Sequence, residues 1–271
     1  GGETVIITFH PHPRKVVSSA ILGVRLINTL EEKIGLLAAM GIDHLVVVPF
    51  TDAFANQAAE DYVASFLVSR FKPASIIIGY DHRFGRDRKG DYLLLEKLAP
   101  RYGYKLLEIP KHVLDQIAVS STRIREDLLE GRLAEAEKLL GYPFFFSGTV
   151  VHGDKLGRQL GYPTANIRIT DEEKIIPGNG IYAVYAELLD ENGKAAQPRL
   201  KGMMSIGFRP TVDGSKRVIE VNIFDFSAEI YDRQLRVHVM EYLRPEVKFD
   251  SLEALVKQID QDKIDSLAIL K

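Results

Sequence analysis

The chain has 271 residues, of which 46% are hydrophobic and 27% are charged, and its formal net charge is −2. This length suits about two domains with buried cores. The slightly negative charge argues against a general nucleic-acid binder. No apolar run approaches the roughly 20 residues of a membrane span. The chain has no cysteine, which excludes disulfides, thiolate metal sites and a cysteine nucleophile and favours a cytoplasmic location.

The first half of the chain alternates apolar strands with amphipathic helices. The pattern predicts strands at residues 4–9, 44–50, 74–80 and 104–109 and helices at 29–41, 59–71 and 92–103. Apolar strands that are separated by helices predict a parallel sheet covered on both faces. Ligands of such sheets bind beyond the carboxyl ends of the strands, where "HPHPR" (10–14) and "GYDHRFGRDRKGD" (79–91) fall.

The second half has a different pattern. Residues 119–141 predict two short helices, and five segments rich in Val, Ile, Phe and Tyr then follow with Gly, Pro, Asp or Asn between them. Such a series predicts a small antiparallel barrel or sandwich, and residues 250–270 predict a closing helix. We therefore predict two domains, residues 1–141 and residues 142–271.

The stretch "GDKLGRQLGYPTANI" (153–167) is unusually rich in glycine for its length. Because Gly and Pro are ordinary turn residues, a long hairpin loop is one interpretation. The alternative is a phosphate-binding loop, in which glycines let backbone N–H groups approach phosphate oxygens and Lys155 and Arg158 add positive charge. The extended chain after the proline puts Thr164 and Asn166 on one side, and their hydroxyl and amide oxygens suit Mg²⁺.

The segment "RVIEVNIFDF" places one carboxylate inside an apolar strand. Strand alternation puts Ile219 and Val221 on one face and Glu220 and Asn222 on the other. Phosphoryl transfer to an alcohol benefits from a carboxylate that takes the hydroxyl proton, but a glutamate on the solvent face of an ordinary strand fits the same pattern. The strand alone leaves both interpretations open.

Several blocks together resemble one family, the bacterial bifunctional riboflavin kinase/FAD synthetases. The blocks "GTVVHGDKLGRQLGYPTANI", "PGNGIYAVYAEL", "MMSIGFRPTV" and "IEVNIFDF" resemble its riboflavin kinase module in order, and "PTAN" in that order is highly specific. The blocks "TFHPHPR", "IIIGYDHRFGRDRKGD" and "VSSTRIRE" resemble its FMN adenylyltransferase module. The resemblance covers nearly the whole chain. It implies a Rossmann-like nucleotidyltransferase domain followed by a six-stranded antiparallel barrel with a C-terminal helix.

The resemblance also implies residue roles in the kinase module, where MgATP phosphorylates the 5′-hydroxyl of riboflavin to give FMN. Glu220 would be the general base, and Thr164 and Asn166 would hold Mg²⁺ and the ATP phosphates. The flexible loop over the nucleotide would include Gly153, Lys155, Gly157 and Arg158. Residues 207–212 would lie at the substrate mouth, and the last helix would lie near the flavin ring.

For the adenylyltransferase module, the resemblance implies ATP and FMN binding by His12, Gly79, Asp81, Phe84, Ser120, Ser121, Thr122 and Arg123. We expect "SSTRIR" at a helix N-terminus, a natural phosphate site, although simple N-capping is the plain alternative. The sequence lacks the G-x-F-D-G-x-H-x-G-H stretch of the family, and "HPHP" resembles a separate block, with His10 where the family usually has Asp. We therefore expect this chain to form FMN and to be defective in forming FAD.

Two other functions remain open at this point: a nucleotidyltransferase acting on another small alcohol phosphate, and a non-catalytic barrel that binds a flavin or nucleic acid. The second is disfavoured because no stretch combines clustered cations with exposed aromatic residues. We expect ATP, riboflavin and FMN as small-molecule partners, no nucleic-acid or membrane partner, and a monomer or weak oligomer. A metal hydrolase at "HPH" (10–12) fails because two histidines are too few ligands.

Overall fold

The structure is a computed structural model that describes residues 2–10, 25–153, 156–211 and 214–271. Its strands are β1 (Val5–His10), β2 (His44–Pro49), β3 (Ser75–Gly79), β4 (Lys105–Ile109), β5 (Phe145–Val151), β6 (Ala165–Arg168), β7 (Gly180–Leu188), β8 (Leu200–Thr211), β9 (Gly214–Ile223) and β10 (Gln234–Arg244). By packing, the chain forms two compact units: residues 1–24 with 30–121, and residues 25–29 with 122–271. The domain boundary near residue 142 stays a prediction about the functional modules.

Helices separate the strands of the first unit, as predicted, and a short helix precedes β6 in the second. They are α1 (Leu30–Ala39), α2 (Asp52–Ala55), α3 (the continuous segments Ala59–Asp61, Tyr62–Val68 and Ser69–Phe71), α4 (Tyr92–Tyr102), α5 (Lys111–Leu129), α6 (Leu133–Leu140), α7 (Leu156–Gln159) and α8 (Leu252–Ile269). The middle segment of α3 is a π-helix, and a single 3₁₀ turn spans Arg86–Arg88.

The first unit contains two parallel strand pairs, β1 with β2 and β3 with β4, where one continuous sheet was expected. The described strands show no hydrogen-bonded pairing that joins the two pairs. An aromatic core lies beside them, in which Phe66 contacts Phe54 at 5.3 Å and Tyr62 contacts Phe84 at 5.0 Å between ring centroids. Burial of such rings contributes the largest apolar area per residue.

The second unit is a closed six-stranded barrel with the strand order β10-β5-β6-β9-β8-β7. Its neighbouring strands are antiparallel, which confirms the barrel that the turn-separated segments predict. Alternate residues point inward, and Phe146, Tyr182 and Val237 are among the fully buried ones. Closure removes the free sheet edges that an open antiparallel sheet would expose.

The last helix, α8, packs against the barrel strands β7, β8 and β10. It begins where the Ser251 side chain accepts a hydrogen bond from the backbone N–H of Ala254 at 3.1 Å. Two parallel hydrogen bonds, at 2.8 and 2.7 Å, join the Arg244 guanidinium to the buried Asp262 carboxylate. Such a bidentate pair fixes orientation as well as position, so α8 is anchored on β10.

The structure contradicts one local prediction, the helix N-terminus at "SSTRIR". The helix α5 begins at Lys111, directly after a proline, and continues without a break through Ser120 and Arg123. The Ser120 hydroxyl donates to the carbonyl oxygen of Gln116, one turn earlier, at 2.6 Å. Residues 120–123 therefore lie inside a helix, where backbone N–H groups bond within the helix instead of facing a phosphate.

Candidate functional site

The strand β9 presents one carboxylate on the outer face of the barrel. Ile219 and Val221 are buried among the core residues, as the alternation predicts, while Glu220 points the other way with 26% of its side chain exposed. This accessibility distinguishes Glu220 from the buried carboxylates of the second unit, such as Asp127 and Asp262. A carboxylate at this position can meet a ligand without unfolding the barrel.

The strand β6 brings the predicted polar side chains beside that carboxylate. In the antiparallel register, Asn166 lies directly opposite Glu220. The Thr164 hydroxyl, just before β6, donates to Oε1 of Glu220 at 3.4 Å. Ala165 and Ile167 are buried in the core, so Thr164 and Asn166 share the outer face as predicted. Strand pairing thus joins Thr164 and Asn166 in one cluster with Glu220, which lies at least 54 positions later in the chain.

The glycine loop lies against this cluster, and two of its glycines are required by space. A Cβ atom on Gly153 would lie 2.2 Å from the Asn166 amide nitrogen. A Cβ atom on Gly157 would lie 2.3 Å from the Tyr162 carbonyl oxygen and 3.4 Å from the Thr164 hydroxyl. Real Cβ atoms do not approach this closely. The glycines therefore let the loop backbone reach the polar side chains.

A buried asparagine, for which the sequence predicted a strand face but no role, fixes the start of β6. Asn222 is 6% exposed, and its side-chain amide donates to the Pro163 carbonyl oxygen at 2.7 Å. It lies two residues after Glu220, so both side chains leave the same face of β9. The strand that carries the carboxylate thus also positions Thr164. Strand alternation places Asn222 on this face, but its partner becomes visible only in the folded barrel.

Side-chain contacts join the glycine loop to neighbouring elements. The Tyr162 hydroxyl donates to the Asp260 carboxylate on α8, and this hydrogen bond is the main cause that raises the pKa of Tyr162 to about 12. Arg158 lies 3.9 Å from Glu229, with both side chains more than half exposed. Such a surface pair contributes at most about 1 kcal/mol, so an anionic ligand can displace it.

The hairpin of β8 and β9 adds a cation to the site. Arg209 donates to Oε2 of Glu220 at 3.0 Å and to Oε1 of Glu246 at 2.9 Å. Burial alone would lower the pKa of Arg209, but the hydrogen bonds and charges of Glu246 and Glu220 outweigh burial and raise it. The family resemblance implies that residues 207–212 lie at the substrate mouth, and it implies no role for Arg209 or Glu246. Residues 212 and 213 lie outside the described residues.

The donor set suits a magnesium ion that is held mainly by a substrate. The outer face of β6 offers the Thr164 hydroxyl and the Asn166 side-chain oxygen beside the Glu220 carboxylate. Mg²⁺ prefers such oxygen ligands, few from protein and the rest from phosphates and water. Within the described ranges, no group of three His, Cys, Asp or Glu side chains could hold a metal ion by itself.

The residues predicted for adenylyl transfer are spread over separate elements of the chain. Gly79 ends β3, Asp81 is exposed in the following loop, and Phe84 is buried against Tyr62. Residues 120–123 lie within α5. Two predicted site residues, His12 and Lys155, lie outside the described residues. The same holds for the rest of "PHPR" (11–14).

Arg123 has a structural partner within its own helix. Its Nε donates at 3.1 Å to the carboxylate of Asp127, which is completely buried. Arg132 donates to the same carboxylate at 2.6 Å, which joins α5 to the start of α6. A buried carboxylate needs such partners, so Arg123 contributes to the packing of the second unit whatever else it binds.

Two known families match successive parts of this chain. Residues 140–270 match the riboflavin kinase family, and residues 1–123 match the FAD synthetase family. A bifunctional riboflavin kinase/FMN adenylyltransferase of Listeria monocytogenes is 37% identical over 99% of this chain and 82% of its own length. The enzyme of the same name from Escherichia coli K12 is 36% identical over 96% of this chain and 80% of its own length.

The fold matches a solved structure over almost its whole length. A crystal structure from Streptococcus pneumoniae, titled as a macrolide-efflux protein, is 31% identical, with a TM-score of 0.78 over 97% of this chain and 83% of that chain. That name belongs to the Streptococcus pneumoniae protein and is not carried over to this chain. Across the residues described for this chain, no helix is long and apolar enough to cross a bilayer.

Proposed function

Because the chain belongs to the family of bifunctional riboflavin kinase/FMN adenylyltransferases, we propose that Glu220, Thr164 and Asn166 form the centre at which ATP phosphorylates riboflavin. The chain carries a riboflavin kinase domain and an FAD synthetase domain of the nucleotidyltransferase type. One observation supports the location of the kinase centre above all: the barrel register sets Asn166 opposite Glu220, with Thr164 in hydrogen-bond contact.

In this proposal, Glu220 accepts the proton of the riboflavin 5′-hydroxyl while that oxygen attacks the γ-phosphorus of ATP. Phosphoryl transfer depends mainly on positioning and on charge stabilisation, so the fixed strand geometry is the principal contribution of the protein. Thr164 holds one oxygen of Glu220 and leaves its own lone pairs for a ligand. Asn222, through Pro163, holds Thr164 in place.

Thr164 and Asn166 would also hold the magnesium ion that accompanies ATP. When it is bound, this ion neutralises charge on the phosphate oxygens. The glycine loop then closes the other side of the nucleotide: backbone N–H groups near Gly153 and Gly157 approach the phosphates, and Arg158 and Lys155 supply charge. The close approach of Gly153 to Asn166 supports this arrangement, because the loop and the metal-binding side chains are already in contact.

For adenylyl transfer, we propose that the first unit binds ATP and FMN beyond the carboxyl end of β3. Gly79, Asp81 and Phe84 lie there, at the position where parallel strands present ligands. Roles for His12 and for Ser120, Ser121, Thr122 and Arg123 in this reaction remain predictions. So do the cytoplasmic location, the absence of nucleic-acid partners and the monomeric or weakly oligomeric state.

The test of the kinase centre compares two carboxylates on barrel strands. Glu220→Gln should lower kcat for FMN formation by about 10²–10⁴-fold, the usual contribution of a positioned base. Glu241→Gln, which changes an exposed glutamate of β10, should leave kcat within about twofold, since surface changes outside a site have small effects. Equal rates for both variants and the unchanged chain would remove Glu220 from the mechanism.

A further inference from the structure

One guanidinium in the proposed kinase centre joins two carboxylates from different parts of the barrel. Arg209 uses one terminal nitrogen for Glu246, just after β10, and the other for Glu220, on β9, at 2.9 and 3.0 Å. The three side chains are 41%, 30% and 26% exposed, so they face the same accessible surface. The site thus holds a cation within hydrogen-bond distance of the proposed base.

The position of Glu246 is built into the barrel. A Cβ atom on Gly207 would lie 1.8 Å from a carboxylate oxygen of Glu246, so the carboxylate lies directly against the backbone of β8. Glu246 therefore approaches Arg209 from a fixed side, whereas Glu220 belongs to the ligand-binding face. Of the two partners of Arg209, Glu246 serves as the anchor and Glu220 as the partner that a ligand can replace.

The distances decide what Arg209 can reach. A base lies roughly 2.6–3.2 Å from the oxygen whose proton it accepts, and the reacting phosphorus lies next to that oxygen. A guanidinium nitrogen 3.0 Å from the same carboxylate is then within one side-chain rotation of the equatorial phosphoryl oxygens. The other terminal nitrogen is bonded to Glu246, so the guanidinium has a fixed partner about which it can turn.

We propose that Arg209 is a further catalytic residue of the riboflavin kinase reaction, which exchanges Glu220 for the transferred phosphoryl group while Glu246 acts as its positioning residue. The inference rests on the proposed kinase centre. In the free enzyme, Arg209 occupies one oxygen of the base and keeps it ordered. When the phosphoryl group arrives, its oxygens compete for the guanidinium, and the carboxylate oxygen becomes available to the substrate hydroxyl.

The chemical step balances without any further reactant. The riboflavin 5′-oxygen forms a bond to the γ-phosphorus, the bond from that phosphorus to the β–γ bridging oxygen breaks, and ADP leaves with both electrons of the broken bond. The hydroxyl proton goes to Glu220. Arg209 forms and breaks no covalent bond, and its charge-assisted hydrogen bonds stabilise the negative charge spread over the equatorial oxygens.

The test measures steady-state FMN formation in the full chain. Arg209→Gln should lower kcat by about 10²–10³-fold, the usual cost of losing one donor to a transition-state oxyanion, while KM for riboflavin changes little. Glu246→Gln should lower kcat by about tenfold, because Arg209 keeps its charge but loses a charge-assisted bond. Arg233→Gln, which changes an exposed arginine just before β10, is the matched control.

A second measurement separates catalysis from packing. Millimolar guanidinium should raise the rate of Arg209→Ala and should not raise the rate of Arg233→Ala, because a free cation can replace a catalytic charge. This readout also applies if Arg209→Gln folds poorly. An Arg209→Gln kcat equal to that of the unchanged chain, while Glu220→Gln is impaired, would overturn the role of Arg209 and leave the kinase centre standing. Unimpaired Glu220→Gln would instead overturn the centre itself and the inference with it.

Discussion

The two proposed nucleotide sites of this chain are built from different kinds of structure. In the barrel, the predicted side chains stand on paired strands, and the register of β6 with β9 places Asn166 opposite Glu220. Of the residues predicted for adenylyl transfer, Gly79, Asp81 and Phe84 end or follow a strand of the first unit, with Phe84 buried in an aromatic core, and residues 120–123 lie within the helix α5. When two strands pair, residues that alternate in the sequence come to lie at fixed distances from residues of the partner strand. The end of a strand determines only the edge of the sheet at which a ligand binds.

This difference separates motif residues that serve only the site from those that also stabilise the fold. Thr164 donates to Glu220, Asn166 lies opposite Glu220 in the strand register, and both Thr164 and Asn166 lie beside glycines of the loop, so these positions serve the site. Arg123, in contrast, contacts a fully buried carboxylate within its own helix. A change at Arg123 therefore affects stability as well as any ligand, while a change at Glu220 affects mainly the chemistry.

Apart from changes to Glu220 and Arg209 and the double change of Thr164 and Asn166, the largest effect is expected from disturbing the close approach of the glycine loop. Gly153→Ala would drive a methyl group into the Asn166 amide and should lower kcat for FMN formation by about 10²-fold, the typical cost of misplacing a catalytic group by about 1 Å. Gly35→Ala, in α1, has open space around its Cβ and is the control. Full kinase activity in Gly153→Ala would show that the loop does not contact the nucleotide site.

The next effect falls on stability. Asp127→Asn removes the charge that Arg123 and Arg132 share, and it should lower the free energy of unfolding by about 1–3 kcal/mol, measured by urea denaturation. The loss is moderate because both arginines are partly exposed and can be solvated. If Arg123→Ala destabilises the chain by a similar amount, a structural role accounts for that arginine. A stable Arg123→Ala chain with impaired ATP binding would favour the predicted phosphate role.

A smaller effect concerns the metal. Asn166→Ala should raise the Mg²⁺ concentration needed for half-maximal kinase activity by about tenfold, which corresponds to the loss of one ligand worth about 1.4 kcal/mol. The titration is done at saturating ATP and riboflavin. An unaltered Mg²⁺ response would count against Asn166 as a metal ligand and would confine its role to contact with Gly153.

The smallest effect is a pH dependence outside the site. Burial lowers the pKa of His238 below its ordinary value of 6.5, although Glu187, 3.0 Å away, opposes this shift. Below pH 6.5, His238 therefore binds a proton more readily in the unfolded chain than in the folded chain. The free energy of unfolding should fall as the pH drops below 6.5. The loss should be at most about 1 kcal/mol by pH 5.5, and His238→Gln should flatten it. A stability that rises over this interval would contradict the assignment.

The sequence alone was sufficient for much of the barrel site. The alternation around Glu220 and the proline before Thr164 both correspond to strand geometry that local residues determine, and the structure confirms the faces that they predict. Most helix and strand positions of the first half also follow from apolar periodicity. These features depend on neighbours in sequence, which is why a sequence pattern can carry them.

What the sequence could not supply depends on distant pairing. Arg209 and Glu246 are 37 residues apart, and their contact requires both the barrel register and the close approach at Gly207. The wrong helix start at "SSTRIR" has a local cause: Ser and Thr favour N-caps, but the helix had already begun after Pro110, and tertiary burial of Ile124 and Leu128 outweighs capping preference. The division of the first-unit strands into two pairs likewise depends on which distant strands form hydrogen bonds with each other, and apolar periodicity does not determine this.

The outer face of β6 and β9 is the proposed location of flavin phosphorylation. The most direct measurement incubates the chain and its Thr164→Val/Asn166→Ala variant with riboflavin, ATP and Mg²⁺ and separates the flavins by chromatography. We expect FMN from the unchanged chain and at most a trace from the folded variant. FMN formed equally fast by both chains would contradict this location, because the reaction would then proceed without the side chains that define this face.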